Sequence, residues 1–302
     1  MPRISVVMAV YNAAETLRET LDSILAQEDV ELEVIVVDDG SMDGTAAILD
    51  SYPAIRVIRQ ENRGLTRALI AGCAAARGAL IARHDAGDLS HPRRLAVQQR
   101  LFDDPEVLFV SCATQYVGPE LEPLWVTRPS VVAPASIVDL SRRHGLVDGP
   151  THHGSVVFRR DAYERAGGYR AAFYYGQDFD LWYRLAERGK FASTEETLYT
   201  ARITPGSISS AAKREQETLA RLSRGALELR QRGRSEEAIL AAAAAVRPVR
   251  AGASRRRHAA GLYFIGEALR RNGDPRARRY LRESLAAWPL SPRAWLRFLQ
   301  SR

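Results

Sequence analysis

The first 112 residues alternate between short apolar runs and amphipathic segments. Uninterrupted apolar runs rich in valine and isoleucine predict buried strands, whereas apolar positions three or four residues apart predict helices. The predicted strands are Ile4–Val10, Val34–Val37, Ile55–Ile58, Leu80–Ala82 and Val107–Cys112, and the predicted helices are Ala13–Gln27, Asp43–Tyr52, Leu65–Ala76 and Pro92–Phe102. This alternation predicts an α/β fold with a mixed, mainly parallel sheet covered by helices on both faces.

The pattern changes further along the chain. Prolines interrupt residues 113–155, which favours a long functional excursion there, and a strand at Ser155–Phe158 and a helix at Phe179–Arg188 are predicted after it. The last third of the chain has a helical pattern dominated by alanine and arginine. We therefore expect a sheet domain at residues 1–210 and a small all-helical region at residues 211–302.

Two stretches of the helical region are similar to each other. Ala226–Ala238 and Ala268–Ala277 share the order alanine, glycine, alanine, and a proline follows each. Their spacing resembles a degenerate tetratricopeptide repeat, although the offset of about 40 residues exceeds the usual length of about 34. Two imperfect repeats would be marginal alone, so we expect an appendage packed against the first domain.

Composition narrows the class of protein. The 302 residues are 46% hydrophobic and 26% charged, which is typical of a globular chain and excludes disordered and fibrous classes. Cys73 and Cys112 are too few for a disulfide framework, and a predicted strand follows the N-terminus with no signal peptide before it. No apolar run approaches the roughly 20 residues of a membrane span, so we expect a cytoplasmic protein.

The net charge of +7 is unevenly distributed. Residues 211–302 contain 21 basic and 8 acidic residues, whereas residues 1–210 contain 22 basic and 28 acidic residues. The basic region suits either peripheral contact with an anionic membrane or an ordinary solvated helix surface. Its arginines are not interleaved with aromatic residues and form no recognition motif, so a nucleic-acid partner is disfavoured.

Polar residues collect at the carboxyl ends of three predicted strands, where an open parallel sheet binds its ligands. The three loops are Val10-Tyr11-Asn12, Asp38-Asp39-Gly40-Ser41 and His84-Asp85-Ala86-Gly87-Asp88. The chain has neither the glycine-rich turn of dinucleotide-binding folds nor a phosphate-binding P-loop. A diphosphate would therefore be neutralised by a metal ion on carboxylates, by arginine, or by both.

Eight motifs follow one another in a fixed order along residues 3–190. They are Ile4–Ala13, Val36–Thr45, Glu61–Arg67, Ala82–Asp88, Pro92–Leu95, His153–Arg160, Gly167–Tyr169 and Gln177–Trp182. As an ordered set they resemble glycosyltransferase family 2, whose members have the GT-A fold. The resemblance implies transfer of a sugar from a nucleotide-diphosphate sugar, expected to be a UDP-sugar, to an acceptor hydroxyl, with inversion at the anomeric carbon.

The resemblance also implies roles for individual residues. The expected donor-binding residues are Val10, Tyr11, Asn12, Asp38, Asp39, Arg67 and Asp85, with Asp39 on the nucleobase. Asp178 is the expected catalytic base, and the acceptor side is expected at His153, Asp180 and Trp182. Structural alternatives remain open: a strand-end turn for Asp38 and Asp39, a helix cap for Asp178 or Asp180, a solvated position for Arg67, and core packing for Trp182 and His153.

A divalent cation, Mg²⁺ or Mn²⁺, is expected on Asp85 and Asp88. The family motif often has a third-position carboxylate where this chain has Gly87, which leaves metal use open. Mg²⁺ keeps several waters and needs only one or two protein carboxylates besides the substrate phosphates, so the two remaining acids are sufficient. Asp88 has the alternative role of capping the helix predicted from Pro92.

The leading hypothesis is an inverting glycosyltransferase of bacterial cell-surface polysaccharide or glycolipid synthesis. Its acceptor would be a glycan or a lipid-linked sugar, and it would act in the cytoplasm or at the inner membrane face. A sugar nucleotidyltransferase is disfavoured because the loop at Tyr11–Glu15 lacks the glycine-rich basic sequence of those enzymes. A catalytically weak nucleotide-sugar-binding protein with the same fold is a further alternative.

Overall fold

The computed structural model describes residues 3–130, 149–205, 213–246 and 254–301. The middle of the excursion expected at residues 113–155 and the boundary expected at residue 210 lie outside the described residues. Within these ranges the chain is an α/β protein with a mixed sheet, as the apolar pattern predicts, and helices dominate its C-terminal part.

The first half of the sheet consists of parallel strands with buried, apolar sequences. They are β1 (Ile4–Val10), β2 (Leu32–Asp38), β3 (Ile55–Arg59) and β4 (Leu80–Asp85), in the order β3-β2-β1-β4. The connecting helices are α1 (Leu17–Leu25), α2 (Thr45–Asp50) and α3 (Leu65–Ala75). Because each helix returns the chain to the start of a parallel strand, the carboxyl ends of all four strands share one edge.

The second half of the sheet contains antiparallel pairs. Its strands are β5 (Leu89–Ser90), β6 (Val107–Val117), β7 (Pro123–Thr127), β8 (Val157–Arg159) and β9 (Lys190–Arg202), and its helices are α4 (Arg94–Arg100), α5 (Arg160–Arg165) and α6 (Gln177–Ala186). The order continues β4-β8-β6-β9-β5, with β7 beside β6. Since β8 runs antiparallel to β4, the 3-10 turn His153–Ser155 that precedes β8 lies beside the carboxyl end of β4.

Each face of the sheet carries an apolar core because successive strand residues point to opposite sides. Val7, Ile35 and Ile81 belong to one cluster together with residues of α3 and α6. Met8 and Val36 belong to a second cluster together with residues of α1 and α2. These two cores hold the strands in register and thereby fix the loops at the carboxyl edge.

Several element boundaries differ from the predicted ones. α1 begins at Leu17 rather than Ala13, because the Ala13 amide donates to Thr45 Oγ1 at 2.8 Å and the preceding segment forms a turn. β6 extends five residues beyond Cys112 to Val117. The strand β9 is missed altogether, since its central glutamates interrupt the apolar pattern.

The chain divides into two compact units that are interleaved along the sequence. The first unit is Met1–Thr114, Thr127–Ala201 and Thr218–Arg247, and the second is Gln115–Val126, Arg202–Glu217 and Pro248–Arg302. The division into residues 1–210 and 211–302 stays a prediction, since its boundary falls between described ranges.

The C-terminal helices contribute to both units. From Thr218 on, α7 (Lys213–Gln231) belongs to the first unit, as does α8 (Glu237–Ala245). The second unit contains α9 (Arg255–Arg271), α10 (Ala277–Ala287) and α11 (Pro292–Gln300), with a core of Leu124, Leu262, Ile265, Leu269, Ala277 and Tyr280. The resemblance to tetratricopeptide repeats stays a prediction. Among the described helices none combines the length and the apolar character needed to cross a bilayer.

Candidate active site

The register of the central strands brings the predicted strand-end residues to one edge of the sheet. Val10, the last residue of β1, pairs with Asp38 of β2, and the adjacent Ala9 pairs with Asp85 of β4. Neighbouring strands lie roughly 4.8 Å apart, so Asp38 and Asp85 flank β1 at about twice that spacing. The three polar loops identified in the sequence therefore surround a common edge.

The loops after β1 and β2 are tied together by hydrogen bonds. Asn12 Oδ1 accepts from the Met42 amide at 2.8 Å, and the Asn12 amide donates to Ser41 Oγ at 3.0 Å. Asp38 is buried and its Oδ1 accepts from the Ser41 amide at 3.0 Å, so it stabilises this turn. Tyr11 is 46% exposed and presents its ring at the edge.

Val10 does not reach the open edge. Its side chain is buried in the core, and its carbonyl accepts a hydrogen bond from the Asp39 amide at 2.9 Å. Val10 therefore positions Asp39 through its backbone, and its expected donor contact stays a prediction.

Asp39 holds the loop between β3 and α3. Its carboxylate accepts from Gln60 Nε2 at 2.6 Å, from the Arg63 amide at 2.9 Å and from the Gly64 amide at 2.8 Å. A carboxylate offers about four acceptor positions, so most of its capacity serves this loop. The predicted contact of Asp39 with a nucleobase stays a prediction, and it would use the remaining position.

Asp85, Asp88 and His152 form a cluster whose ligand atoms all lie within 4.8 Å of one another. His152 Nδ1 lies 3.9 Å from Asp85 Oδ2 and 3.8 Å from Asp88 Oδ2. The imidazole accepts a hydrogen bond from the Gly154 amide at its Nδ1 atom, at 3.0 Å, so Nδ1 is unprotonated, and a cation bound there would replace this hydrogen bond. Two carboxylate oxygens and a neutral imidazole are ligands that suit a divalent cation.

Gly87 occupies the position at which the family motif often carries a carboxylate. Its φ of +94° lies in the left-handed region, and its amide donates to Thr20 Oγ1 at 3.0 Å. An aspartate here would be strained whatever the surrounding space, because L side chains disfavour this backbone conformation. The turn therefore requires glycine, and His152 provides the third possible ligand of the cluster.

Tyr199 of β9 connects the backbone of Asp85 to the carboxylate of Asp88. Its hydroxyl accepts from the Asp85 amide at 3.1 Å and donates to Asp88 Oδ2 at 2.8 Å. Its ring stacks on the imidazole of His152, with centroids 5.4 Å apart. Burial, with the nearby Asp88 carboxylate, raises the pKa of Tyr199 well above its usual value, so the hydroxyl stays a donor.

Arg83 is a fully buried cation beside the cluster. Its guanidinium pairs with Asp85 Oδ1 and donates to the carbonyls of Val7 (3.0 Å) and His84 (2.6 Å). Burial alone would raise the pKa of Asp85, but the charge of Arg83 lowers it overall. Asp85 is therefore ionised throughout the physiological range, in the form that a cation requires.

His153 links Arg83 to the side of the site bordered by α5 and α6. Its Nε2 atom accepts from Arg83 Nε at 3.3 Å and lies 2.7 Å from the hydroxyl of Tyr169. Burial and the Arg83 charge hold the pKa of His153 well below its usual range, so the ring is neutral. Trp182 is buried in the core beneath it, with ring centroids 6.1 Å apart. Their expected acceptor roles stay predictions.

Asp178 lies in the first turn of α6, next to the helix start rather than at its cap, which is Gly176. Burial raises the pKa of Asp178 to about 6, and the negative charge of Asp85 adds to the shift. The amide of Phe179 and the charge of Arg83 oppose it. Asp178 thus lies within electrostatic range of Asp85, and its carboxyl changes between the protonated and ionised forms near pH 6.

Two residues predicted for the site, Asp180 and Arg67, do not join the group formed by the metal-ligand cluster and Asp178. Asp180 is buried and pairs with Arg184 at 2.5 Å, and Arg170 Nη1 lies 3.7 Å from its other oxygen. Asp180 therefore serves as the buried partner of Arg184 rather than as a helix cap, and its acceptor contact stays a prediction. Arg67 is exposed in the first turn of α3, just after the loop that Asp39 holds, and its contact with a diphosphate stays a prediction.

Three residues of this polar network are not among those predicted from the sequence: Arg83, His152 and Tyr199. The polar pair Arg83-His84 interrupts an otherwise apolar strand before its last residue, Asp85, and this break in the pattern is the available signal for Arg83. His152 adjoins the predicted His153 but has no motif of its own. Tyr199 belongs to the unpredicted β9, and its pairing with Asp88 spans 111 residues, so no local signal indicates it.

The comparison with protein families identifies the class to which this fold and site belong. Residues 5–167 match the family described as Glycosyl transferase family 2. Since this match covers more than half of the chain, the chain belongs to glycosyltransferase family 2 and is a transferase enzyme. The predicted fold and enzyme class are confirmed, and the alternative of a sugar nucleotidyltransferase is not supported.

Particular relatives agree with this assignment. EpsE of Bacillus subtilis (strain 168), whose name describes a glycosyltransferase, is 33% identical over 212 residues, which cover 67% of this chain and 73% of that protein. The succinoglycan biosynthesis protein ExoO of Rhizobium meliloti (strain 1021) is 44% identical over 98 residues, which cover 32% of this chain and 28% of that protein.

Solved structures show the same fold. The mannosyltransferase PcManGT from Pyrobaculum calidifontis, in complex with GDP-Man and Mn²⁺, has a TM-score of 0.57 and 23% identity, and the match covers 99% of this chain and 79% of that one. S. aureus TarS 1-349, in complex with UDP, has a TM-score of 0.56 and 16% identity, and the match covers 95% and 81%.

Proposed function

We propose that the chain transfers a sugar from a UDP-sugar to a hydroxyl of a cell-surface glycan or lipid-linked acceptor, with inversion at the anomeric carbon. The observation that carries this proposal is the convergence of Asp85, Asp88 and His152 within 4.8 Å of one another, with the Asp178 carboxyl near enough for the Asp85 charge to raise its pKa. The cluster would face the leaving diphosphate and the carboxyl would face the incoming hydroxyl.

The donor would lie along the carboxyl edge of the parallel strands. The exposed ring of Tyr11 offers a surface on which a nucleobase can stack, beside the turn that Asp38 stabilises. Asp39 would contribute mainly by holding the loop at residues 60–64, and Arg67 would meet the diphosphate. The UDP complex of TarS supports a uridine nucleotide, and the GDP-Man complex of PcManGT makes a GDP-sugar the competing donor.

Asp85, Asp88 and His152 would hold a divalent cation, Mg²⁺ or Mn²⁺. Their chemistry fits such an ion because two anionic oxygens and an unprotonated imidazole nitrogen converge from two chain segments. A bound cation supplies positive charge to the diphosphate as it leaves. Arg83 keeps Asp85 ionised, and Tyr199 orients Asp88 through its hydroxyl, so this chain preorganises the ligands by itself.

Asp178 would act as the general base of a single displacement. The acceptor oxygen forms the new bond to the anomeric carbon, the bond from that carbon to the diphosphate breaks, and the nucleoside diphosphate leaves with the electron pair. The acceptor proton moves to the Asp178 carboxylate. Attack on the face opposite the leaving group inverts the configuration, and a base with a pKa near the working pH suits this transfer.

The acceptor is proposed to be a growing polysaccharide or its lipid-linked precursor. The similarity to ExoO, a succinoglycan biosynthesis protein, supports a surface polysaccharide. His153 is the proposed acceptor-side group, since it is half-buried and lies next to Arg83 and Tyr169. Because Nε2 accepts from Arg83, the proton of the neutral ring lies on Nδ1, which would donate a hydrogen bond to a sugar hydroxyl.

Release of nucleoside diphosphate tests this function. Purified protein with Mn²⁺ is incubated with UDP-, GDP- and dTDP-sugars, with water as the slow acceptor, and the anomer of the released sugar is followed by NMR. We expect turnover with a UDP-sugar and inverted product, lost in Asp178→Asn but kept in the exposed control Asp161→Asn. Turnover with GDP-sugars alone would contradict the proposal of a UDP-sugar donor. A product that retains the anomeric configuration would contradict the proposed single displacement.

A further inference from the structure

The helix α11 exposes an apolar stripe to solvent. Leu296 is 52% exposed and Leu299 is 74% exposed, and Leu290, just before the helix, is 78% exposed. Trp295 is 47% exposed and its indole nitrogen donates to the Pro289 carbonyl at 2.9 Å, which fixes the ring beside the leucines. Positions 292, 295, 296 and 299 share one face of a helix with 3.6 residues per turn.

The opposite face of α11 is already used for packing. Ala294 is fully buried, and the Phe298 ring lies 4.6 Å below the guanidinium of Arg278 of α10. Arg278 also donates to the Ser301 carbonyl at 2.5 Å and so anchors the end of the helix. The helix α11 already packs through its other side. A small rotation within this unit would therefore not bury the exposed stripe.

The surroundings of this stripe are strongly cationic. Residues 254–301 contain eleven arginines and three acidic residues. Each of the acidic residues already pairs with arginine within the second unit: Glu267 with Arg270, Asp274 with Arg276 and Glu283 with Arg279. Arginine remains in excess, and Arg293 on α11 and Arg282, one turn after Arg278 on α10, are both exposed.

We propose that α11 docks the protein on an anionic lipid surface, with Leu290, Leu296, Leu299 and Trp295 entering the headgroup boundary. An interfacial helix of this kind combines an apolar face that penetrates the boundary with cations that meet the lipid phosphates. A second copy of this chain is a poorer occupant, because the same arginines would face each other across a symmetric contact. This inference does not depend on the proposed donor or base.

Vesicle co-sedimentation of the full chain tests the proposal. We expect binding to vesicles that contain phosphatidylglycerol, little binding to pure phosphatidylcholine, and a loss of affinity with rising salt. The double variant Leu296→Ser/Leu299→Ser should bind at least about tenfold more weakly. The control Leu25→Ser, which alters a 37% exposed leucine of α1 outside the stripe, should bind as the unmodified chain does.

A second variant separates the charge from the apolar stripe. Arg282→Gln/Arg293→Gln keeps the leucines, and it should weaken binding to anionic vesicles and flatten its salt dependence. Quenching of Trp295 fluorescence by brominated lipid, absent in Trp295→Phe, should report insertion of this ring. Circular dichroism and melting curves confirm that each variant is folded.

The proposal is contradicted if the folded chain ignores anionic vesicles, or if the leucine variant binds them as well as the unmodified chain does. Self-association of the unmodified chain in sedimentation velocity, lost in the leucine variant and without any vesicle binding, would also contradict it. That result would assign the stripe to a contact between copies of the chain.

Discussion

At the scale of single residues, the proposed mechanism depends most on Asp178, whose carboxyl would act as the general base. Burial at the start of α6 raises its pKa to about 6, in spite of hydrogen bonds from nearby amides. A carboxylate with this pKa is largely ionised at neutral pH, yet it holds a proton more strongly than an ordinary aspartate does. These are the properties that a base needs when it receives a proton from a hydroxyl under attack.

The pH dependence of turnover follows from this pKa. We predict that kcat/KM for sugar transfer or donor hydrolysis falls about tenfold per pH unit below pH ~6, because protonated Asp178 cannot accept a proton. Asp178→Asn should lower kcat by roughly 10²- to 10⁴-fold. Initial rates of nucleoside diphosphate release over a pH series provide the check. A profile that stays flat through pH 6 would remove Asp178 as the base.

The same burial has a consequence for stability. A carboxyl whose pKa rises from 3.8 to about 6 on folding favours the protonated native state, so its ionisation at pH 7 costs about 3 kcal/mol of unfolding free energy. This cost is absent below the unfolded pKa, grows as the pH rises from about 4 to about 6, and is constant above that. Asp178→Asn should therefore raise the free energy of unfolding at pH 7 by up to about 3 kcal/mol, with little effect near pH 4.

Denaturant unfolding at both pH values measures this effect. Asp161→Asn is the control, because that aspartate is exposed on α5 and its hydrogen bond with Arg165 lowers the pKa overall, against the effect of burial. It should give no stabilisation at pH 7. Equal stability of Asp178→Asn and the unmodified chain at pH 7 would show that the Asp178 carboxyl is not held in a raised-pKa environment.

Arg83 is the buried cation that organises the cluster. We predict that Arg83→Met lowers the free energy of unfolding by about 3–5 kcal/mol, because it leaves the carboxylate of Asp85 without its buried partner. The comparison is Arg165→Met, which breaks an exposed pair with Asp161 and should cost at most about 1 kcal/mol. Urea unfolding measures the free energy of unfolding of both variants. Similar decreases in the two would mean that Arg83 does not specifically stabilise the Asp85 carboxylate.

At the scale of elements, the loop between β3 and α3 depends on Gly64. Its φ of +85° is unusual for an L residue, and a Cβ there would lie 2.6 Å from the Tyr174 ring. We predict that Gly64→Ala lowers the free energy of unfolding by roughly 1–3 kcal/mol and weakens nucleoside diphosphate binding, since the displaced loop pulls away from Asp39.

Gly167→Ala serves as the control for that substitution. It has a similar φ of +81°, but nothing lies within 4 Å of the added Cβ. It should therefore lose only about 1 kcal/mol to backbone strain and keep its affinity for the nucleotide. Thermal melting and calorimetric titration with UDP measure both effects. Unchanged affinity in a folded Gly64→Ala variant would contradict the role given to this loop.

The elements that the sequence predicts best are those whose burial is continuous. β1 has the predicted limits because all its residues face an apolar core on one side or the other. The sequence does not predict β9, because Glu195 and Glu196 lie exposed in its middle. Neither an alternation of apolar and polar residues nor an apolar run therefore covers the whole strand. The start of α1 is set by a side chain of α2, Thr45, which no local pattern reports.

At the scale of the whole molecule, the acidic motifs predict the position of the site but not its supporting contacts. Asp38, Asp85 and Asp88 reach one edge because parallel strands end there, which is a general property of the fold. His152 and Tyr199 join them through long-range packing of the antiparallel half of the sheet. Such contacts follow from topology, and a single sequence carries no signal for them.

The central claim is that Asp85 and Asp88 of one loop, together with His152 of a separate segment, hold one cation that binds the donor. Its most direct test is calorimetric titration of UDP, with GDP in parallel, into the protein with Mn²⁺ and with EDTA. We predict that EDTA, Asp88→Asn and His152→Ala each weaken nucleotide binding by at least about tenfold, while Asp178→Asn and the exposed control Asp103→Asn retain it. Nucleotide affinity that is indifferent to EDTA and to Asp88→Asn would contradict the account.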